Sequence, residues 1–179
     1  MSDSIETYTY RGGEKIELTK STDQFVVEAP ADLLVEQGFS KLEQVSPTSN
    51  RVTVVADVLE IAMVAGRSLG PAHHAYAISS TRQEFLISDR VFVSFSGDVR
   101  PAQIDALMER YALLLVKMYL DRVYLFRLSD RTGMTPLKLV RKLTENEEIV
   151  RAADHDLNYR VQKCGSQAPS KPSYLDRQV

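Results

Sequence analysis

The chain has 179 residues, of which 44% are hydrophobic and 26% are charged, and its formal net charge is −2. This length suits one medium-sized domain or two small ones, and the apolar content is enough to build a buried core. The slightly acidic balance argues against a nucleic-acid-binding or membrane-surface protein, because such proteins usually carry a basic surface. No apolar run approaches the roughly 18 residues that a membrane-spanning helix needs.

The first residues and the cysteine content bear on the compartment. The start, MSDSIETYTY, lacks the basic and apolar regions of a signal peptide. Cys164 is the single cysteine, so the chain holds no internal disulfide, which agrees with a reducing compartment. We therefore expect a cytoplasmic protein without membrane or nucleic-acid partners.

The first half of the chain predicts the order β-α-β-β-α-β. Its elements are a strand QFVVEA, a short helix ADLLVEQG that stops at Gly38, strands SKLEQV and RVTVVA joined around Pro47–Asn50, a helix DVLEIAMVAGRSL and a strand HHAYAIS. Asp57 is a candidate N-cap of the second helix. The residues expected on the inward face of that helix are Val58, Ile61, Ala62, Ala65 and Leu69. Gly12-Gly13 is not followed by a helix, so it predicts a turn rather than a phosphate loop.

The second half predicts the same order more clearly. RVFVSF is a strand, and Pro101 then opens a helix whose inward stripe is Ile104, Leu107, Met108 and Tyr111. The runs LLLVKMYL and RVYLFRL meet at a hairpin over Leu120–Arg122. Thr135 caps a helix that begins at Pro136 and buries Leu139, Val140 and Leu143, and the last strand begins at Ile149.

The two halves together predict an α+β protein made of two ferredoxin-like units with antiparallel sheets and helices packed on one face. The predicted boundaries are residues 1–13 for an N-terminal tail, 14–81 for the first unit, 82–163 for the second unit and 164–179 for a linker.

The second sheet is predicted to be apolar on both faces. In RVYLFRL, Tyr124, Phe126 and Leu128 point to one face, while Val123 and Leu125 point to the other. A sheet with helices on one face normally alternates apolar and polar residues, because its other face meets water. We therefore expect another part of the chain, a second copy or a different protein to cover the open face.

No set of residues resembles a catalytic site, and we predict no enzymatic activity, cofactor or metal. His73 and His74 are adjacent on a predicted strand, so they point to opposite faces and cannot chelate one ion in the usual way. No serine lies in a G-x-S-x-G elbow. Phe92 and Phe95 are three residues apart and lie on opposite faces, which argues against the stacked aromatics of an RNA-recognition module.

The second half resembles the propeptide domain of subtilisin-like serine proteases, from about Phe85 to Val179. RVFVSFSGDVRPAQIDALMERYAL and the central hairpin follow the order of that family, and LVRKLTENEEIVRAADHDL is similar to its helix and last strand. Ala153-Asp154-His155-Asp156 stands where Ala-Glu-Pro-Asn is common, so the proline is missing. PSYLDRQV resembles the segment that enters the catalytic domain, with Val179 in place of a tryptophan.

The resemblance implies a protein partner, the subtilisin-like catalytic domain of the same precursor chain. Propeptides of this family pack the open sheet face on two helices of the protease and lay the following segment in the substrate cleft. They thereby act as intramolecular chaperones and inhibitors. The resemblance places Asp121 at the N-termini of the protease helices. The cleft-binding residues it implies are Asn158, Tyr159, Arg160, Val161, Gln162 and Lys163.

Other interpretations of these residues stay open. Asp121 is also a good turn former, the run LTENEE reads as the solvated end of a helix, and Tyr159 and Val161 could complete the core instead. The chain could also be a regulatory or substrate-recognition module that never blocks the protease. A third alternative is an unrelated ferredoxin-like dimer that binds a small ligand.

Overall fold

A computed structural model describes residues 6–119 and 122–157 as an α+β protein with two antiparallel sheets. The elements of the first unit are β1 (Glu6–Arg11), β2 (Glu14–Val27), α1 (Ala31–Glu36), β3 (Leu42–Ser46), β4 (Ser49–Thr53), α2 (Leu59–Arg67), β5 (Ala72–Ile78) and β6 (Glu84–Phe85). Those of the second unit are β7 (Arg90–Phe95), α3 (Pro101–Tyr111), β8 (Leu113–Met118), β9 (Val123–Leu128), α4 (Pro136–Asn146) and β10 (Val150–His155). No helix in these two ranges is long and apolar enough to cross a membrane.

The two sheets share a strand order. The second sheet runs β10-β7-β9-β8, so its last strand lies beside its first and its second strand forms an outer edge. The first sheet runs β3-β4-β2-β5-β6, and within it β5, β2, β4 and β3 repeat the same order. All strand pairs are antiparallel.

Both helices of the second unit begin where the sequence predicts. Pro101 and Pro136 occupy the first helical turns, where a missing N–H costs nothing. The Thr135 hydroxyl accepts a hydrogen bond from the Lys138 N–H at 3.4 Å, which caps α4. The core of this unit contains the predicted inward residues Ile104, Leu107, Tyr111, Leu139, Val140 and Leu143. Met108 packs against that core but is only partly buried.

Helix α2 differs from its predicted setting. It begins at Leu59 after a short 3₁₀ turn, and Asp57 does not cap it. Its buried residues are Leu59, Ala62, Met63 and Gly66, whereas Ile61 is 73% exposed and Val58 is also exposed. The prediction that Ile61 and Val58 face inward was therefore wrong. A Cβ at position 66 would lie 2.9 Å from the Phe25 ring, so the glycine lets the helix approach the sheet on this face.

Two strands of the first sheet come from segments that the sequence assigned elsewhere, β1 from the N-terminal tail and β6 from residues 82–163. Gly12 and Gly13 have φ values of 59° and 83° and form the predicted turn, which pairs Arg11 with Glu14. Both glycines adopt the left-handed conformation that a two-residue hairpin requires. The β1–β2 hairpin connects the two units, because β1 packs against α4 and the end of β10.

Candidate interaction surface

The predicted protease-binding residues lie outside the described part of the chain. Asp121 falls between its two ranges, and Asn158, Tyr159, Arg160, Val161, Gln162 and Lys163 follow the second range. The structure therefore describes the residues on which these segments are mounted, namely the base of the β8–β9 hairpin and the end of β10.

The base of the hairpin is held by its neighbours. The Tyr119 N–H donates to the Val123 carbonyl at 2.7 Å, and the Phe95 N–H donates to the Arg122 carbonyl at 3.0 Å. The Arg122 guanidinium donates to the Ser96 carbonyl at 3.2 Å. Arg122 has a φ of 69°, an uncommon value for a residue with a side chain. These contacts fix the two strand ends between which Leu120 and Asp121 stand.

Strand β8 is an outer edge of the second sheet and is apolar along most of its length. Leu114, Leu115, Val116, Met118 and Tyr119 are between 41% and 61% exposed. A β-bulge interrupts its pairing with β9 between Leu115 and Lys117. Proteins usually protect such edges with charges or bulges, since an exposed apolar edge pairs readily with another chain. Here the protection is one bulge and one lysine.

The face of the second sheet opposite its helices carries a small apolar and aromatic group. Leu125 lies between Phe92 and Lys117 in register and is 5% exposed. The Phe92 ring lies 5.7 Å from that of Tyr119, and the Lys117 ammonium lies 4.8 Å from the centre of the Tyr119 ring. We call β8, Tyr119, Phe92 and Leu125 the apolar surface of the second unit. The prediction that Leu125 and Phe126 face opposite ways agrees with this arrangement, because Phe126 lies in the helix-side core.

The corresponding face of the first sheet is closed by charge pairs. Arg51 makes ion pairs with Glu43 on β3 and with Glu84 on β6, and its side chain is 9% exposed. Arg51 is opposite Val26 in register, and Val26 belongs to a buried cluster with Val45, Ala75 and Leu86. The first sheet therefore covers its own open face, whereas the second sheet leaves apolar side chains exposed at its edge.

His73 and His74 each pair with a carboxylate of the fold. His73 pairs with Asp89 at 2.5 Å, and His74 on the other face pairs with Glu60 of α2 at 3.2 Å, as the strand alternation predicts. Burial and the nearby Lys20 lower the pKa of His74 to about 4, and Glu60 opposes this shift. Within the described ranges, no three side chains of His, Cys, Asp or Glu come together as a metal site.

The two units also border an open cleft with a volume of about 720 Å³. Arg67, Pro71 and His73 line it from the first unit, and Leu114 and Arg127 line it from the second. A concave, mixed polar and apolar surface of this size suits a small ligand or an extended peptide.

No protein-family model matches the chain, and no curated protein or solved structure is significantly similar to it.

Proposed function

We propose that this chain is the N-terminal prodomain of an intracellular subtilisin-like serine protease, with two ferredoxin-like units. It acts as an intramolecular chaperone and inhibitor and has no catalytic residues of its own. The second unit packs its apolar surface on the protease, and residues 158–163 occupy the substrate cleft as an extended peptide.

The observation that supports this proposal best is the exposed apolar edge of the second sheet, formed by β8 and Tyr119. Such an edge is costly in water unless a partner covers it. The first unit, which has the same strand order, closes its open face with the Arg51 ion pairs. The first unit also exposes apolar residues, such as Ile61 and Val64 on α2, but these lie outside its sheet. The proposal therefore assigns the partner to the β8 edge, in the unit that resembles a propeptide.

The hairpin offers a second line of support. The described base of the hairpin is held by hydrogen bonds and lies beside the apolar surface, and Asp121 lies between its two strands in the sequence. Negative side chains are favoured at helix N-termini by about 0.3–1 kcal/mol each. An acidic residue at this position of the sequence suits a partner that presents helix N-termini next to an apolar patch.

The test is inhibition of the cognate catalytic domain by the purified chain. Met118 is 61% exposed on β8 and Ile61 is 73% exposed on α2, so they form a matched pair. Met118→Asp should weaken inhibition at least tenfold, because a carboxylate would have to be desolvated in the interface. Ile61→Asp should inhibit as the wild type does. Equal effects of the two substitutions would remove the apolar surface from the interface.

A cheaper test is the reading frame beyond Val179. A prodomain should be followed by the Asp-Ser/Thr-Gly, His-Gly-Thr and Gly-Thr-Ser-Met segments that carry the catalytic residues of subtilisin-like proteases. A frame that ends without them, or that encodes an unrelated domain, contradicts the proposal.

The cleft between the units favours a second candidate function, a module that binds a small ligand. Arg67 and Arg127 line it together with Asp89 and Asp130, so a ligand that carries both signs of charge, such as an amino acid, fits the lining. Calorimetric titration with amino acids distinguishes this function, because the proposed prodomain is not expected to bind them.

A further inference from the structure

The end of β10 is held by residues of the first unit. The His155 Nε2 and the Thr9 hydroxyl of β1 are 2.7 Å apart, and the His155 ring meets the Phe85 ring edge-on at 5.6 Å. The Gly12 N–H in the β1–β2 turn donates to the Asp154 carboxylate at 2.6 Å. The last strand of the second unit is thus fixed from outside its own sheet.

The next residue, Asp156, is fixed on three sides. Its N–H donates to the Arg90 carbonyl at 3.1 Å, and its carbonyl accepts from the Ser88 hydroxyl at 2.9 Å. Its carboxylate pairs with the Arg90 guanidinium at 2.8 Å. The pairing with the β7 strand thereby continues one residue beyond β10.

Leu157 then packs into an apolar cluster that both units build. The buried members of this cluster are Leu18, Phe85, Ile87 and Leu137. Leu18 and Phe85 lie on β2 and β6 of the first sheet, and Leu137 lies on α4. The backbone at residue 157 leaves the fold from a junction that needs the first unit.

We infer that the first unit positions the start of the cleft-binding segment, with Leu157 as the main positioning residue. This inference rests on the proposed function, in which residues 158–163 enter the protease cleft. Those six residues reach at most about 20 Å when extended. A fixed starting point and direction lower the entropy cost of placing them, which raises affinity by preorganisation.

The test combines substitution of Leu157 with removal of the following segment. Leu157→Ser removes the apolar contact, and Leu157→Met keeps it. Each substitution is made in the full chain and in a chain truncated after residue 157. Leu157→Ser should weaken inhibition at least tenfold in the full chain and less than twofold in the truncated chain, and Leu157→Met should inhibit as the wild type does.

The truncated background separates positioning from stability. If Leu157→Ser only loosens the fold, it weakens inhibition equally in both backgrounds, and the inference is overturned. The inference is also overturned if Leu157→Ser leaves inhibition by the full chain unchanged. Ser88→Ala, which removes one hydrogen bond from Asp156, repeats the test with a milder change.

Hydrogen exchange without the protease gives an independent result. The Asp156 N–H is bonded to Arg90 in the described fold, so it should be protected in the wild type and at least tenfold less protected in Leu157→Ser. Exchange at the unprotected rate in the wild type overturns the inference whatever the protease assay shows. Failure of the intact wild type to inhibit overturns the proposed function, while the exchange result still decides whether the junction holds the end of β10.

Discussion

His155 should make the stability of this protein depend on pH. Its side chain is 7% exposed at the junction of β1, β6 and β10, and its Nδ1 has no hydrogen-bond partner within the described ranges. Burial, and to a lesser extent His73, lower the pKa of His155 to about 3 from its ordinary 6.5. Its neighbours in the chain, Asp154 and Asp156, are engaged elsewhere, with the Gly12 N–H and with Arg90, and His73 pairs with Asp89.

The sign and the size of the effect follow from the two pKa values. The unfolded chain takes up a proton near pH 6.5, whereas the folded chain does not until about pH 3. The stability is therefore complete above pH 6.5 and falls as the pH drops below it. Each pH unit in that window costs up to about 1.36 kcal/mol, so the loss from His155 at pH 4.5 is at most about 2.7 kcal/mol.

The assay is urea unfolding of the wild type and of His155→Gln at pH 8, 6.5, 5.5 and 4.5. Glutamine keeps a polar side chain of similar size but does not titrate. At pH 8 the variant should be less stable by about 1–2 kcal/mol. Between pH 6.5 and 4.5 the wild type should lose up to about 2.7 kcal/mol more than the variant, because His74 and the carboxylates titrate in both. Parallel pH profiles of the two proteins would show that His155 is not buried in its neutral form.

Three further outcomes are expected. Gly70→Ala should destabilise the fold by about 2 kcal/mol or more in urea unfolding, since the added Cβ would lie 2.1 Å from the Glu28 carbonyl oxygen, and wild-type stability would contradict that packing. Thr135→Ala should cost about 1 kcal/mol through loss of the α4 cap, and an unchanged unfolding midpoint would mean that the cap contributes nothing. Asp121→Lys should weaken inhibition of the protease while changing stability by less than about 0.5 kcal/mol, and equal inhibition constants would remove Asp121 from the interface.

Local sequence patterns were sufficient to predict the helices of the second unit and the residues that these helices bury. The stripe from Ile104 to Tyr111 and the run Leu139, Val140 and Leu143 each match one face of a helix, and a proline opens both helices. These signals lie within a dozen residues, so they can be recognised without knowledge of any tertiary contact. The strand order of the units needed the structure, because register and pairing connect residues far apart in the chain.

The features that were not predicted from the sequence depend on contacts between residues far apart in the chain. ETYTYR has polar residues at alternate positions and reads as a tail, yet the Tyr8 and Tyr10 hydroxyls donate to Glu145 at 2.9 and 3.0 Å. The acidic run LTENEE at the end of α4 reads as a solvated helix end, yet the Glu147 carboxylate accepts from Arg110 at 2.8 Å and from Tyr111 at 2.6 Å. Partners so distant in sequence leave no local signal. The setting of α2 was missed for a related reason, because Gly66 decides which face can approach Phe25.

Part of the candidate site could be predicted from local sequence patterns, and part could not. The doubly apolar second sheet could be predicted from strand alternation alone, and Leu125 is buried on the face opposite Phe126. The functional residues Asp121 and Asn158–Lys163 stay predictions that come from the resemblance. The junction around Leu157 could not be predicted, because its partners Leu18 and Phe85 lie in the other unit.

The two sheets differ in how their open faces and edges are covered, and their common strand order makes this difference informative about function. The four strands that the two sheets have in common run in the same order, but the first sheet also has β6, which carries Glu84. The cover of the first sheet therefore comes from an added strand as well as from side chains. The first sheet holds Arg51 at 9% exposure between two carboxylates, an arrangement that carries a desolvation cost for all three groups. Closing the face of the second sheet in the same way would need an arginine, two acids and a strand in the place of β6. It has exposed apolar residues along β8 instead, which are unfavourable for the isolated chain and favourable for one that binds a partner there.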